Sequence, residues 1–324
     1  MKCISKLLCI VCALSLLITG CGFQQTSMLK EYDAYSYHNS YTNQAETVNA
    51  DYFAKDLCVT NAINFGLEGT YARVAQGGGI FNITKNEVLY NQNLFKKLYP
   101  ASTTKILTAY IIIKDCNLND VVIVSEEAAD QEADSSVCGL RAGDNITVND
   151  LLYGLMLNSG NDAAEALAEY HSGSIEAFAE VMTQEAHKLG ATNSHFSNPS
   201  GLTDKEHYTT VYDMYLIFQE ALKHEKFVEV ISTKSKSVTY TNVNGKTVQR
   251  TYFNGNKYLS GAEKAPDGVQ VIGGKTGTTY AAGFCLVLYC KNEAGDDIIS
   301  IVFKADCRHN LYLLMNQILK KYAK

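Results

Sequence analysis

The segment from residue 99 to 110 reads YPASTTKILTAY and places Ser102 three residues before Lys105 at the start of an apolar run. If the residues before Ser102 lead into a helix, the hydroxyl and the amine lie one turn apart on the same face and can meet. Lysine is a base only when it is neutral, so burial or a nearby cation must lower its pKa well below the usual value of about 10.4. The apolar residues 106–113 predict a buried helix that supplies this desolvation.

The Ser102 and Lys105 pattern is not specific by itself. The N-terminus of the predicted helix offers free backbone N–H groups that can stabilise a developing oxyanion, which favours a nucleophile at this position. An ordinary helix start is the alternative interpretation, because Ser27 and Lys30 repeat the spacing in a stretch with no other sign of catalytic machinery. The hypothesis therefore needs support from the rest of the chain.

Two further patterns place polar residues where the surrounding sequence is apolar. Residues 157–162 read LNSGND between two apolar helical segments, so Ser159 and Asn161 stand at a break between helices. Residues 273–278 read GGKTGT within a strand pattern. Glycines in a strand let another backbone approach closely, as when an extended peptide adds beside it. A lone Lys-Thr-Gly would otherwise indicate only a turn.

The elements that must position these residues form two groups. Apolar residues recur at helical spacing from residue 102 to about 223. Strand patterns lie on both sides of this helical block, at 72–81, 87–90, 238–243, 247–253, 269–288 with interruptions, and 298–304, and a last helix is predicted from about 310 to 322. A block of helices thus interrupts a sheet whose strands come from both ends of the chain, and a cleft between the two parts is the natural place for a site.

Ser-x-x-Lys, Ser-x-Asn and Lys-Thr-Gly occur in this order in penicillin-binding proteins and serine β-lactamases. The chain resembles one family among them, the serine-type D-alanyl-D-alanine carboxypeptidases, which are low-molecular-weight penicillin-binding proteins. The resemblance extends from about residue 70 to the C-terminus and includes NPSGL at 198–202, HYTT at 207–210, NKYL at 256–259 and AGFCL at 282–286. It implies an α+β fold with three layers, α/β/α, of the β-lactamase/transpeptidase-like type. An antiparallel sheet of N- and C-terminal strands would carry an inserted all-helical region at about 106–229, with the active site in the cleft.

The resemblance implies a role for each motif residue. Ser102 would be the acylated nucleophile and Lys105 its general base, while Ser159 would relay a proton toward the leaving amine. Asn161 would help to hold the substrate amide, and Lys275 would supply positive charge near Ser159 and the substrate.

The binding residues implied by the resemblance follow the lysine of the third motif. Thr276 would bind the terminal carboxylate, and Gly277 would let the peptide lie close to the strand. The backbone N–H groups of Ser102 and Thr278 would form the oxyanion hole. Arg308 lies where such enzymes often have a carboxylate-binding arginine, although an arginine near the start of a last helix is more often a solvated surface charge. No cofactor and no metal is implied.

The N-terminus predicts export. The first 25 residues, MKCISKLLCIVCALSLLITGCGFQQ, place two lysines before an apolar run that is too short for an ordinary membrane-spanning helix. Residues 17–21 resemble the lipobox of bacterial lipoproteins, with Cys21 as the lipidated residue, although a plain secretory signal with an incidental cysteine is the alternative. We therefore expect a signal peptide at 1–20, the lipidated cysteine and a polar tether at 21–68, and a penicillin-binding domain at 69–324, held at the outer face of the bacterial cytoplasmic membrane.

Charge and cysteine content narrow the possible partners. A formal net charge of -6 argues against nucleic-acid binding, which depends on Lys and Arg neutralising phosphates. Six cysteines remain after the predicted signal and lipid site, namely Cys58, Cys116, Cys138, Cys285, Cys290 and Cys307. Their spacing matches no zinc pattern and does not reveal a disulfide pairing, so we interpret them as structural or free thiols. Cys285 and Cys290 are predicted on opposite faces of one strand.

Other functions have less support from the sequence. No Gly-x-Ser-x-Gly or His-Glu-x-x-His is present, so neither a Ser-His-Asp triad nor a zinc hydrolase is indicated. A β-lactamase would need rapid deacylation, and we find no glutamate in the Glu-x-x-Leu-Asn context of the class A enzymes. A lipid-anchored penicillin-binding sensor, or a protein that binds peptidoglycan without useful turnover, remains the alternative. The predicted partners are peptidoglycan stem peptides ending in D-Ala-D-Ala, β-lactams as covalent inhibitors, and the membrane.

Overall fold

The computed structural model describes residues 54–324, and the predicted signal peptide, Cys21 and most of the predicted tether lie outside this range. The described strands, numbered along the chain, are β1 Gly77–Asn82, β2 Glu87–Gln92, β3 Val121–Ile123, β4 Asn145–Thr147, β5 Ser235–Thr241, β6 Thr247–Phe253, β7 Val269–Thr279, β8 Gly283–Asn292 and β9 Asp297–Ala305. The described α-helices are α1 Lys105–Asp115, α2 Glu126–Ala129, α3 Val148–Leu157, α4 Asn161–Ser172, α5 Ile175–Lys188, α6 Val211–Ala221, α7 Glu225–Ser232, α8 Lys257–Ser260 and α9 Arg308–Tyr322. Short 3₁₀ helices lie at Ala72–Val74 and Ala101–Thr104.

Strands from both ends of the described chain form one antiparallel sheet, as the sequence predicts. Its order is β2-β1-β9-β8-β7, so β1 pairs with the late strand β9, and β7 lies at one edge. The alternation of side chains divides the buried residues between two faces. Phe81 and Val287 face one apolar cluster, whereas their neighbours Ile80 and Leu286 face the other.

Helices cover both faces of this sheet. Helix α9 contributes Leu314, Met315 and Ile318 to the smaller cluster, and α1 and α6 belong to the larger cluster on the other face. The three-layer α/β/α arrangement is therefore present. Cys285 and Cys290 lie in different clusters, which confirms the prediction that they occupy opposite faces of β8.

The inserted region is mostly but not wholly helical. Strands β3 and β4 lie within it and join the hairpin β5–β6 in a second sheet of order β3-β4-β5-β6. The sequence predicts the two strands of this hairpin but not their separation from the main sheet, because periodicity within a strand does not identify its partner. Thr147 caps α3, since its Oγ1 accepts a hydrogen bond from Asp150 N at 3.1 Å.

The packed part of the chain begins before the predicted boundary at residue 69. The Cys58 side chain is fully buried, and its backbone N–H donates to the Tyr215 hydroxyl at 2.8 Å. Tyr322, at the end of α9, donates its hydroxyl to Gly66 O at 2.6 Å. The first predicted strand also starts later than residue 72, because Ala72–Val74 forms a 3₁₀ turn. Within residues 54–324, no helix is both long and apolar enough to cross a bilayer.

Candidate active site

Ser102 lies in the 3₁₀ turn Ala101–Thr104, which leads directly into α1. The serine thus precedes the first α-helical residue, Lys105, rather than lying inside the helix. Ala101 has a φ of 49°, a conformation that costs a residue with a side chain about 1–3 kcal/mol. A Cβ on Gly201 would collide with the Ala101 carbonyl oxygen. Packing of a glycine against this strained turn therefore fixes the backbone that carries Ser102.

The Lys105 amine is fully buried and has three oxygen neighbours. Its Nζ lies 3.2 Å from Ser102 Oγ, 2.8 Å from Asn161 Oδ1 and 2.6 Å from Ser200 O. The last two oxygens are an amide and a backbone carbonyl, which can only accept hydrogen bonds. Ser102 alone among the three can also donate.

This environment suits a neutral amine. Two N–H groups of a neutral Lys105 satisfy Asn161 Oδ1 and Ser200 O, and the nitrogen lone pair then faces the Ser102 hydroxyl. Burial lowers the pKa of Lys105 well below its ordinary value, and the charge of Lys275 lowers it further. The geometry and the electrostatics both equip this amine to accept a proton from Ser102.

A second serine and lysine pair faces the same cleft. Ser159, in the break between α3 and α4, has a φ of 59°, and its Oγ accepts a hydrogen bond from Lys275 Nζ at 2.9 Å. Lys275 also donates to Thr276 O at 3.0 Å. Burial lowers the pKa of Lys275 to about 7. Near neutral pH this amine can therefore carry a positive charge or release a proton toward Ser159.

Asn161 links the first pair to the wall of the cleft. It is the first residue of α4 and is 4% exposed. Its Oδ1 accepts from Lys105, and its Nδ2 donates to Ser135 Oγ at 3.2 Å. In this structure the side chain orients Lys105 directly, in addition to any contact with a substrate amide.

Gly277 brings the edge strand β7 against the serine turn. A Cβ at this position would lie 2.9 Å from Ser102 N and 3.0 Å from Thr103 N and Pro100 O. A real Cβ essentially never comes this close to backbone atoms, so a side chain here would push the strand away from the turn. The N–H groups of Ser102 and of the neighbouring Thr278 can both serve the same oxyanion only if this approach is kept.

The cleft opens into a cavity of about 260 Å³ that contains the residues predicted for carboxylate binding. Thr276, Thr278 and Ser159 line it together with Arg308, the first residue of α9. The Arg308 guanidinium lies 5.9 Å from the centre of the Phe284 ring. The structure thus brings Arg308 to the same cavity as the third motif, so it is not remote from the site.

The loop at 197–201 supplies a contact that sequence reasoning missed. Ser200 O accepts from Lys105, and the loop is held by His207, whose Nδ1 accepts from Ser197 N at 3.1 Å. The His207 Nε2–H therefore donates to Thr104 Oγ1, at 2.8 Å. Burial lowers the pKa of His207 to about 4, so the ring is neutral. Ser200 and His207 lie in the motifs NPSGL and HYTT. The contact could not be predicted from them, because every residue type has a backbone carbonyl.

Residues 75–307 match the family model described as D-alanyl-D-alanine carboxypeptidase. The chain belongs to this family. Among its carboxypeptidases, DacF of Bacillus subtilis (strain 168) is 34% identical over 72% of this chain and 58% of its own length. DacC of Escherichia coli (strain K12) is 35% identical over 70% of this chain and 55% of its own length. The chain thus spans less than two thirds of these two relatives.

The carboxypeptidase family also includes more compact relatives and solved structures. The D-alanyl-D-alanine carboxypeptidase of Streptomyces sp. (strain K15) is 34% identical over 70% of this chain and 80% of its own length. The crystal structure of the Streptomyces K15 DD-transpeptidase matches with a TM-score of 0.68 and 30% sequence identity, and covers 75% of this chain and 96% of that one. The family and the β-lactamase/transpeptidase-like fold expected from the three motifs are thus confirmed.

Proposed function

We propose that this protein is a serine D-alanyl-D-alanine carboxypeptidase that removes the terminal D-alanine from peptidoglycan pentapeptide stems. The observation that carries the proposal is the Lys105 amine, buried between two obligate acceptors with Ser102 Oγ as its third neighbour. Membership of the carboxypeptidase family supports it. No metal-ligating group is required, because the base, nucleophile and cation are all side chains of the chain itself.

Acylation begins when Ser102 Oγ attacks the carbonyl carbon of the penultimate D-alanine. The Ser102 proton passes to Lys105 Nζ, and the carbonyl oxygen becomes an oxyanion beside the N–H groups of Ser102 and Thr278. Preorganised donors of this kind are worth about 10²- to 10³-fold in rate each. The substrate peptide extends along β7, whose Gly277 keeps the strand close to the serine turn.

Release of D-alanine needs a proton on its nitrogen. The Ser159 Oγ accepts from Lys275 and can pass its own hydrogen to the leaving amine when the C–N bond breaks. Lys275 replaces that hydrogen, and the terminal carboxylate stays near Thr276 and Arg308 in the cavity. Lys105, which still holds the Ser102 proton, must first pass it to the now neutral Lys275. Water then attacks the Ser102 ester, Lys105 accepts the proton of the water and returns it to Ser102 Oγ, and the shortened stem is freed.

A β-lactam presents a carbonyl and a carboxylate to the same groups, so we propose covalent inhibition at Ser102. The Ser102→Ala variant is expected to lose both covalent penicillin labelling and D-alanine release from a peptide ending in D-Ala-D-Ala. Ser27→Ala, in the second Ser-x-x-Lys, is the matched control and should keep both activities. Labelling of Ser102→Ala at the wild-type rate, detected by mass spectrometry, would refute the nucleophile assignment.

Acyl transfer to an amine is the second candidate, because a solved relative is named a DD-transpeptidase. The acyl-enzyme is common to both reactions, and only the attacking group differs. Incubation with the peptide and an excess of a D-amino acid separates them. Free D-alanine with a shortened peptide supports the carboxypeptidase, whereas accumulation of an exchanged peptide supports the transferase.

We also propose that the protein is a lipoprotein at the outer face of the bacterial cytoplasmic membrane. Support comes from the sequence alone, in which the apolar run 7–19 precedes Cys21. Two acyl chains would give a stable anchor. Cys21→Ala should move the protein from the membrane fraction to the soluble fraction, and a variant that stays with the membrane would refute the lipid assignment.

A further inference from the structure

A second cavity, of about 330 Å³, lies next to the segment that carries Ser102. Its wall contains four lysines and two tyrosines, namely Lys96, Lys97, Lys205, Lys304, Tyr99 and Tyr208. No aspartate, glutamate or arginine lines it. It is distinct from the catalytic cavity but shares a wall with it, because Cys285 lines the catalytic cavity and its Sγ contacts Tyr99 O at 3.9 Å.

The four amines have no acidic partner in residues 54–324, where no carboxylate oxygen lies within 4.0 Å of any of them. Lys96 Nζ donates to the neutral Gln76 Oε1 at 3.0 Å. Lys97 Nζ lies 4.1 Å from the centre of the Tyr208 ring, which keeps this amine at the cavity wall.

The carboxylates closest along the chain to Lys205 and Lys304 belong to Asp204, Glu206 and Asp306, and none of the three forms an ion pair with a cavity lysine. Asp204 Oδ1 accepts from Glu206 N at 2.8 Å, and Asp306 Oδ1 accepts from Asn310 Nδ2 at 2.8 Å. The whole chain has a formal net charge of -6. A concave group of four lysines without an ion-pair partner in the described part of the chain is therefore a local exception in an acidic protein. The mutual repulsion of their charges is relieved when an anion enters.

We propose that this lysine cavity binds a diphosphate group. Lysine commonly binds phosphate as a point charge, and its three rotatable donors can reach oxygens that point in different directions. Four cations balance two adjacent phosphates better than one. The cavity volume of about 330 Å³ leaves room for both phosphates. The proposal does not depend on the peptidase activity.

Calorimetric titration tests the site with the full chain carrying Cys21→Ala, so that no lipid is attached. Inorganic pyrophosphate at low ionic strength should bind at one saturable site. Inorganic phosphate and sulfate should bind about tenfold or more weakly, because each satisfies fewer amines. Absence of saturable pyrophosphate binding, or equal affinity for the three anions, would overturn the proposal.

Charge variants separate this site from a general effect of net charge. Lys97→Gln with Lys205→Gln should weaken pyrophosphate binding by about tenfold or more, since each charge-assisted contact is strong. Lys246→Gln, in the exposed β5–β6 turn, changes the net charge by one and should leave the affinity unchanged. Thermal unfolding checks that all variants are folded. An equal loss in the Lys246 variant, or no loss in the double variant, would contradict the assignment.

The diphosphate can be soluble or can be the head of a lipid, and vesicles distinguish the two. Phosphatidylcholine vesicles with a polyprenyl diphosphate should retain the protein, in competition with pyrophosphate, if the source is a lipid. If pyrophosphate binds but these vesicles do not, the source is soluble. Binding to phosphatidylglycerol vesicles that pyrophosphate does not displace would indicate a general membrane-facing surface and would overturn the diphosphate proposal.

Discussion

The cleft holds two serine and lysine pairs whose amines have different surroundings. Lys105 Nζ contacts the Ser102 hydroxyl and two oxygens that only accept, whereas Lys275 Nζ contacts the Ser159 hydroxyl and the carbonyl of Thr276. Burial lowers the pKa of both amines, to about 7 at Lys275. At Lys105 the charge of Lys275 adds to the effect of burial. The same two residue types can thus favour different protonation states.

This difference suggests a division of labour. A neutral Lys105 is suited to be the base, and Lys275, which stays partly protonated near neutral pH, is suited to be the cation and proton donor. Pairs of titratable groups whose environments separate their pKa values commonly divide acid and base roles in this way. The charge on Lys275 itself helps to keep Lys105 neutral, so the two roles depend on each other.

The largest expected difference comes from replacing the lysine of each pair by arginine. Lys105→Arg should slow acylation by penicillin by about 10²- to 10⁴-fold, because arginine stays protonated and cannot act as a base. Lys275→Arg keeps the positive charge and should slow it by only about tenfold. Stopped-flow acylation rates measure both, and thermal unfolding checks the fold. An equal loss in the two variants would show that the amines do not have different roles.

A smaller effect is expected in the pH dependence of acylation. The rate should rise with pH as Lys105 loses its proton, and should fall above about pH 7 as Lys275 loses its charge. Lys275→Arg should remove the fall on the alkaline side and keep the rise on the acidic side, because arginine does not deprotonate. If the acylation rate of this variant still falls on the alkaline side, the fall is caused by a group other than Lys275.

The smallest effect concerns the loop that holds Lys105. His207→Gln should lower the acylation rate by about tenfold, because the ring supports the loop that presents Ser200 O to the amine. His195→Gln is the matched control, since His195 lies near the same loop but its Nδ1 contacts Glu206 O, at 2.6 Å, and not the segment 197–201. Equal acylation rates in the two histidine variants would show that His207 does not help to position Lys105.

The two pairs also differ in how far the sequence could predict them. Ser102 and Lys105 are three residues apart, so helical geometry alone brings them together, and the apolar run after them predicts the burial. Ser159 and Lys275 are separated by 116 positions. Their contact depends on how the edge strand meets the helical region, and the sequence indicated it only through the resemblance to a known family.

Contacts of backbone groups, and the pairing of strands that are far apart in the chain, could not be predicted from the sequence. Ser200 O and the support from His207 were missed because a carbonyl contact depends on loop position and not on residue type. The two strands of the hairpin β5–β6 were predicted from their residue patterns, but their place in a second sheet was not. Asn161 was predicted to hold the substrate, and its contact with Lys105 became visible only in the structure.

The protonation state of Lys105 is the central claim, and nitrogen NMR measures it directly. Protein labelled with ¹⁵N-lysine gives an ε-nitrogen signal for each amine, and the Lys105→Arg variant identifies the one at issue. A neutral-amine shift for Lys105 at pH 7 is the predicted result, because burial and the charge of Lys275 lower its pKa well below the ordinary value. An ammonium shift for Lys105 at pH 7 would contradict its role as the base for Ser102.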